Sequence, residues 1–142
     1  MLTGRNNLDY EYFNRYLKNC GYNDISEMEL LNDFFKDHIA LVNPINLIIE
    51  ELYSNSINYG KAKNLEVKVT LEMKEHALKI KYEDNGIAFN PLTEAKQPDL
   101  ESDLEGHAIG GLGVHFIKNM TDNQSYQRIN EINQLILEKE IN

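Results

Sequence analysis

Apolar side chains recur along this chain with two different periods. Through the first sixty residues they return every three or four positions, and from residue 65 they return every second one. Asp9 can cap a first helix with Tyr10, Phe13 and Leu17 on one face and Gly21 as its stop. Ser26-Glu27-Met28-Glu29 has the form of a capping box, with Ile25 and Leu30 placed as its hydrophobic staple. Leu31, Phe34, Phe35, His38, Ile39 and Val42 continue the helical period, and His38 reads as a packed histidine of that stripe. Asn43-Pro44 ends this helix and starts another with Pro44 in the first helical position. Ile45, Ile48, Ile49 and Leu52 form its core face, and Gly60 stops it.

The period then falls to two. Leu65, Val67, Val69 and Leu71 alternate with Glu66, Lys68 and Thr70, and Leu78, Ile80 and Tyr82 repeat the pattern after a turn at Lys74-Glu75-His76. The second strand runs into Glu83-Asp84-Asn85-Gly86. Residues 92–105 have no period and are rich in Asp, Glu, Pro and Gln, which predicts a mobile loop longer than an ordinary connection. Gly106, Gly110, Gly111 and Gly113 then open onto a helix carrying Val114, Phe116, Ile117 and Met120. Two more strands follow, over Ser125–Ile129 and Leu135–Ile141, around a turn at Asn130-Glu131-Ile132-Asn133.

Composition narrows the class. At 142 residues and 16.5 kDa, with 42% hydrophobic and 26% charged residues, the chain reads as one globular domain with no internal repeat. No apolar run approaches the ~20 residues that cross a bilayer, and residues 1–7 lack a signal-type segment. One cysteine, Cys20, excludes an internal disulfide framework and fits a reducing compartment, so a cytoplasmic protein is expected. The net charge of −9 argues against direct nucleic-acid binding. It also means that an anionic ligand needs a cation beside it, and for a nucleotide that cation would be Mg²⁺.

Three stretches carry candidate chemistry. Glu51, Asn55 and Asn58 share one helix stripe, where Ser54, Asn55, Ser56 and Asn58 crowd two turns with poor helix formers. Asp84-x-Gly86 sits at a strand end. The glycine cluster before a helix is a phosphate cradle in outline, though it spells neither a Walker loop nor Gly-x-Gly-x-x-Gly. Taken singly, each has a plain alternative: a solvated helix face, a strand-end turn, a Gly-Gly turn.

Together and in this order, Glu51-Leu52-Tyr53-Ser54-Asn55, Asp84-Asn85-Gly86-Ile87-Ala88-Phe89-Asn90-Pro91 and Ile109-Gly110-Gly111-Leu112-Gly113-Val114-His115 resemble the GHKL ATPase superfamily, most closely its bacterial anti-sigma factor serine kinases. The resemblance covers residues 26–140. It leaves 1–25 as an N-terminal extension and makes 92–108 an ATP lid within a single domain, 1–142. It implies an α+β fold: a two-layer α/β sandwich of Bergerat type, with a mixed, mostly antiparallel sheet and helices on one face. ATP and Mg²⁺ are the implied ligands. Glu51 would orient or deprotonate the nucleophile, Asn55 would offer Mg²⁺ an oxygen, and Asp84 would accept from the adenine amino group. Gly86 would let the base lie close to the backbone. Gly110, Gly111 and Gly113 would supply backbone donors, with Tyr59, Ile87, Leu112, Val114 and His115 completing the nucleotide site.

Two positions depart from the pattern. Tyr59 stands where the family often has histidine, and His107 where the lid often has arginine. No arginine lies between Arg15 and Arg128, and Lys96 is the one fixed cation of the lid, so slow transfer is expected. The implied function is phosphorylation of a serine on an anti-sigma antagonist protein, coupled to sequestration of a sigma factor, with a homodimer left open. An ATP- or ADP-binding module without transfer is the first alternative, and a histidine kinase catalytic domain the second.

Overall fold

The structure, a computed structural model, describes residues 7–12, 27–94 and 109–141. Five strands form one sheet: β1 (Asn7–Glu11), β2 (Val67–Met73), β3 (Ala77–Asp84), β4 (Asn123–Ile129) and β5 (Ile132–Glu140), in the order β1-β2-β3-β5-β4. The helices are α1 (Glu27–Phe34), α2 (Val42–Gly60), the one-turn α3 (Pro91–Glu94) and α4 (Ile109–Met120), with a 3-10 turn at Ile39–Leu41. The α+β sandwich is as expected, except that all four strand pairings are antiparallel and none makes the sheet mixed.

The core lies between one sheet face and the helices. Leu8, Leu71, Ile80 and Leu137 form one cross-strand row, and Tyr10, Val69, Tyr82 and Leu135 form the next. Both rows are buried against Leu31 and Phe35 and against Ile45, Ile48, Ile49 and Leu52 of α2. The third row on this face begins with Val67 and then turns polar, as Asp84, Asn133 and Arg128. The functional cleft opens at that change from apolar to polar.

Several local expectations are corrected. Asp9 caps no helix: it lies in β1, whose Leu8 and Tyr10 are buried while Asp9 faces Lys68 at 3.8 Å. Tyr12 N–H donates to Val67 O, extending the edge pairing. An alternating Leu8-x-Tyr10-x-Tyr12 and a helical Tyr10-x-x-Phe13 share residues, and pairing with β2 decides between them. Residues 13–26, including Ser26 and Ile25, lie outside the described residues.

The helix expected to run on to Val42 ends at Phe34. Ile39 is 59% exposed in the 3-10 turn, and Val42 begins α2, so Pro44 is third in that helix rather than first. His38 is half-buried ahead of the 3-10 turn, not part of a helical stripe. Gly60 is the last residue of α2, and Lys61 takes the left-handed cap at φ 52°. The final hairpin is tighter than expected, because Asn130 and Glu131 alone make its turn with φ of 50° and 66°. That starts β5 at Ile132 and puts Asn133 inside it, while β4 gains Asn123 and Gln124 at its other end. No helix among the described residues is long and apolar enough to cross a membrane.

Candidate functional site

The long helix α2 passes over the polar end of the sheet and presents Asn55 and Ser56 to it, with Glu51 against α4 and Tyr59 against Phe89. Asn55 and Ser56 are buried, at 3% and 5% exposure. This is why the last turns of α2 tolerate poor helix formers: their polar side chains serve the cleft, and the apolar positions a turn earlier hold the helix down. Asn55 Nδ2 is buried with no hydrogen-bond partner among the described residues. A buried amide is ordinarily paired, so this one faces the cleft with its hydrogen-bonding capacity unused.

Asp84, at the end of β3, accepts hydrogen bonds from three donors in three parts of the fold. Its Oδ1 accepts from Gly86 N–H at 3.0 Å and from Asn133 Nδ2 at 2.9 Å, and its Oδ2 accepts from Ser56 Oγ at 2.7 Å. Ser56 spends its only hydrogen there, so Tyr82 donates its hydroxyl to Ser56 Oγ at 2.8 Å. Burial, the largest cause, pushes the Tyr82 phenol well above its ordinary pKa and keeps it a donor. The result is a directed relay, Tyr82 to Ser56 to Asp84.

Gly86 has a packing reason of its own. A Cβ there would stand 2.8 Å from Gly60 Cα and 3.0 Å from Gly60 O. The glycine is needed where the turn after β3 meets the end of α2, and Ile87 N–H donates to Gly60 O at 2.8 Å across this contact. Ile87 itself is 50% exposed. Tyr59 stacks on Phe89 with ring centroids 4.6 Å apart and planes 9° from parallel. The cleft between α2 and the sheet is lined by Leu52, Asn55, Ser56, Tyr82, Asp84, Phe89, Pro91 and Asn133 among others, and encloses about 20 Å³. That is room for a water molecule, so a ring entering it must displace lining, of which Phe89 lies outside any helix or strand.

The glycine cluster lies inside α4 and not in a loop before it. Ile109, Gly110, Gly111 and Leu112 form the first turn, whose four N–H groups have no partner within the helix. Gly113 is the fifth residue, so its N–H belongs to the helical ladder and its role is close packing. A Cβ at Gly113 would come within 2.7 Å of Glu51 Cδ. The Glu51 carboxyl thus rests against the glycine face of α4, and its pKa is raised, first by burial and then by the neighbouring charge of Glu50. Val114 is buried at 4%, and His115 points to solvent. Residues 95–108, which include Gly106, His107, Lys96 and most of the expected lid, lie outside the described residues; Leu92–Glu94 belong to α3.

Sequence reasoning missed Ser56, Asn133, Tyr126 and Arg128. Asn133 donates to Asp84 and to Ile87 O at 2.7 Å, and its Oδ1 accepts from Arg128 Nη1 at 3.0 Å, from Phe89 N–H at 3.3 Å and from the Tyr126 hydroxyl. Arg128 also holds Gly86 O at 2.9 Å. An asparagine three residues into a turn-rich string reads as turn chemistry, and only its register opposite Asp84 gives it another role. Ser56 did carry a signal, as one of the polar residues crowding α2. Among the described residues no group of three or more His, Cys, Asp or Glu side chains is placed to hold a metal ion.

No curated protein matches the sequence. Among solved structures, the chain is similar to the Acinetobacter baumannii histidine kinase AdeS at 17% identity and a TM-score of 0.48, over 80% of this chain and 62% of that one. The present chain therefore spans less than two-thirds of that structure's length. Residues 34–139 match the histidine kinase-like ATPase domain, well over half of the sequence. On that match the chain belongs to the histidine kinase-like ATPase domain family, a GHKL-type ATP-binding module.

Proposed function

We propose that this chain is a cytoplasmic ATP-dependent regulator that phosphorylates a serine of an anti-sigma antagonist protein and sequesters a sigma factor when the antagonist is absent. The observation that carries the transfer step is Glu51, a partly buried carboxyl held against the glycine face of α4 with its pKa raised. A carboxylate with raised pKa is a stronger base than an ordinary one. Asp84 accepts the adenine amino group, and the first-turn N–H groups of α4 meet the phosphates. Glu51 takes the proton of the incoming serine hydroxyl as the Oγ–P bond forms and the bond from the terminal phosphorus to the bridging oxygen breaks, releasing ADP.

Mg²⁺ fits this site only as a partner of the nucleotide. Asn55 would hold it through its side-chain oxygen, with the remaining ligands coming from phosphate and water, while its buried, unpartnered Nδ2 is a donor suited to a phosphate oxygen. Bound there, the cation supplies charge neutralisation at the phosphates.

A second reading, an ATP- or ADP-binding module that transfers nothing, is favoured by the position of Arg128. This arginine is engaged at the base end of the cleft, on Gly86 O and Asn133, away from the glycine face of α4. A histidine kinase catalytic domain is the third reading. The deciding experiment incubates the purified chain with labelled ATP, Mg²⁺ and small serine-bearing candidate antagonists. Slow label transfer to serine is expected; nucleotide binding without transfer to any candidate selects the second reading, and transfer to a histidine selects the third.

A further inference from the structure

We propose that Asn133 is the positioning residue that makes this cleft selective for a 6-aminopurine, an inference that rests on the adenine-nucleotide reading above. A carboxylate has about four lone-pair sites. Two on Asp84 Oδ1 are taken by Gly86 N–H and Asn133 Nδ2, and one on Oδ2 is taken by Ser56. One acceptor site remains, on Oδ2, and its direction is set because both ends of the carboxylate are held.

Asn133 also controls the surroundings of Asp84. Its second amide hydrogen occupies the Ile87 carbonyl, which removes a competing acceptor beside the site. Its own orientation is enforced by Arg128, Phe89 N–H and Tyr126, three donors converging on Oδ1, so the amide cannot turn over without setting donors against donors. The hairpin β4–β5 thereby fixes which group of the cleft a base edge meets. A 6-amino group donates to the remaining site on Asp84. A 6-oxo group brings an acceptor to an acceptor, and a purine with hydrogen at this position makes no bond there.

Asn133→Asp tests this, because it keeps the shape and the oxygen that faces Arg128 while turning the donor toward Asp84 into an acceptor. Wild type and variant, both checked for fold by circular dichroism, are titrated calorimetrically with ATP, GTP and purine riboside triphosphate. The added charge weakens all three nucleotides alike, so the affinity ratios are the readout. Wild type is expected to prefer ATP over purine riboside triphosphate by about tenfold, the worth of one hydrogen bond to a charged acceptor, and the variant to narrow this to about twofold or less. A wild-type preference that survives unchanged in the variant overturns the role of Asn133 and leaves the adenine reading standing. A wild type without any preference overturns the adenine reading itself, and the inference with it. If Asn133→Asp does not fold, Tyr126→Phe combined with Arg128→Met strips two of the three donors that orient the amide. An unchanged ratio there overturns the proposal, and a narrowed one supports it.

Discussion

The carboxyl of Glu51 on α2 rests directly against Gly113 on α4, so closely that a methyl group at residue 113 would come within 2.7 Å of Glu51 Cδ. The two residues are 62 positions apart in sequence, and the contact joins the candidate base to the helix whose first turn is proposed to meet the phosphates. Gly113→Ala should push the carboxyl aside, since the end of a flexible side chain yields more easily than helix backbone. Helix propensity favours alanine by about 0.5–1 kcal/mol, so thermal stability should hold or rise slightly while phosphotransfer falls. Melting curves and transfer rates on one preparation check this; unchanged transfer would separate Glu51 from the chemistry.

Glu51→Gln retains the size of the side chain and removes the proton acceptor. Transfer should drop by ~10²–10⁴-fold, the range for a lost general base, with ATP affinity held. The variant also has a pH signature. The folded-state pKa of Glu51 is raised, so between its unfolded and folded values the native state holds the extra proton and stability falls as pH rises. Wild type should therefore lose stability relative to Glu51→Gln on going from acid to neutral pH, and the gap should close below the ordinary carboxylate range. Urea melts at several pH values measure it.

Asp84→Asn should weaken ATP by about ten- to a hundredfold, since a hydrogen bond to a charged acceptor is worth about 1.5–3 kcal/mol. An amide there can turn a donor toward the amino group. Calorimetric titration with ATP and GTP decides: equal affinity of the wild-type chain for both would remove the assignment of Asp84 to adenine.

Ser56→Ala should be costly even without nucleotide. It strands the buried Tyr82 hydroxyl, at about 1–3 kcal/mol, and takes a donor from Asp84, and replacing Tyr82 as well removes the first of these losses. The double variant Ser56→Ala with Tyr82→Phe should thus recover much of the loss in a denaturant titration, and strictly additive losses would mean the pair is not coupled.

Gly86→Ala contrasts with Gly113→Ala. The new methyl would meet Gly60 backbone at 2.8 Å and 3.0 Å, where no side chain can swing away. A loss of about 1–3 kcal/mol, as for overpacking, is expected, with the Ile87–Gly60 hydrogen bond loosened and hydrogen exchange at Ile87 quickened. A variant as stable as wild type would show that the turn and α2 separate freely.

Much of this architecture was legible from local pattern. The core face of α2 at Ile45, Ile48, Ile49 and Leu52, and the alternation of β2 and β3, follow from burial on one side of an element, which every residue of that element feels. The three motif strings were legible as well, because glycine, carboxylate and amide types at fixed spacing are local facts. What needed the tertiary structure was whatever register and helix docking decide. Tyr10 belongs to a strand because β2 offers it a partner at Val69, and Gly113 packs a carboxyl because α4 lies against α2. Asn133 left no mark in the sequence beyond a turn-forming residue type. A two-residue turn with both φ positive sets Asn133 opposite Arg128, pairing with β3 sets it opposite Asp84, and a shift of one residue would carry Asn133 to the opposite face of the sheet.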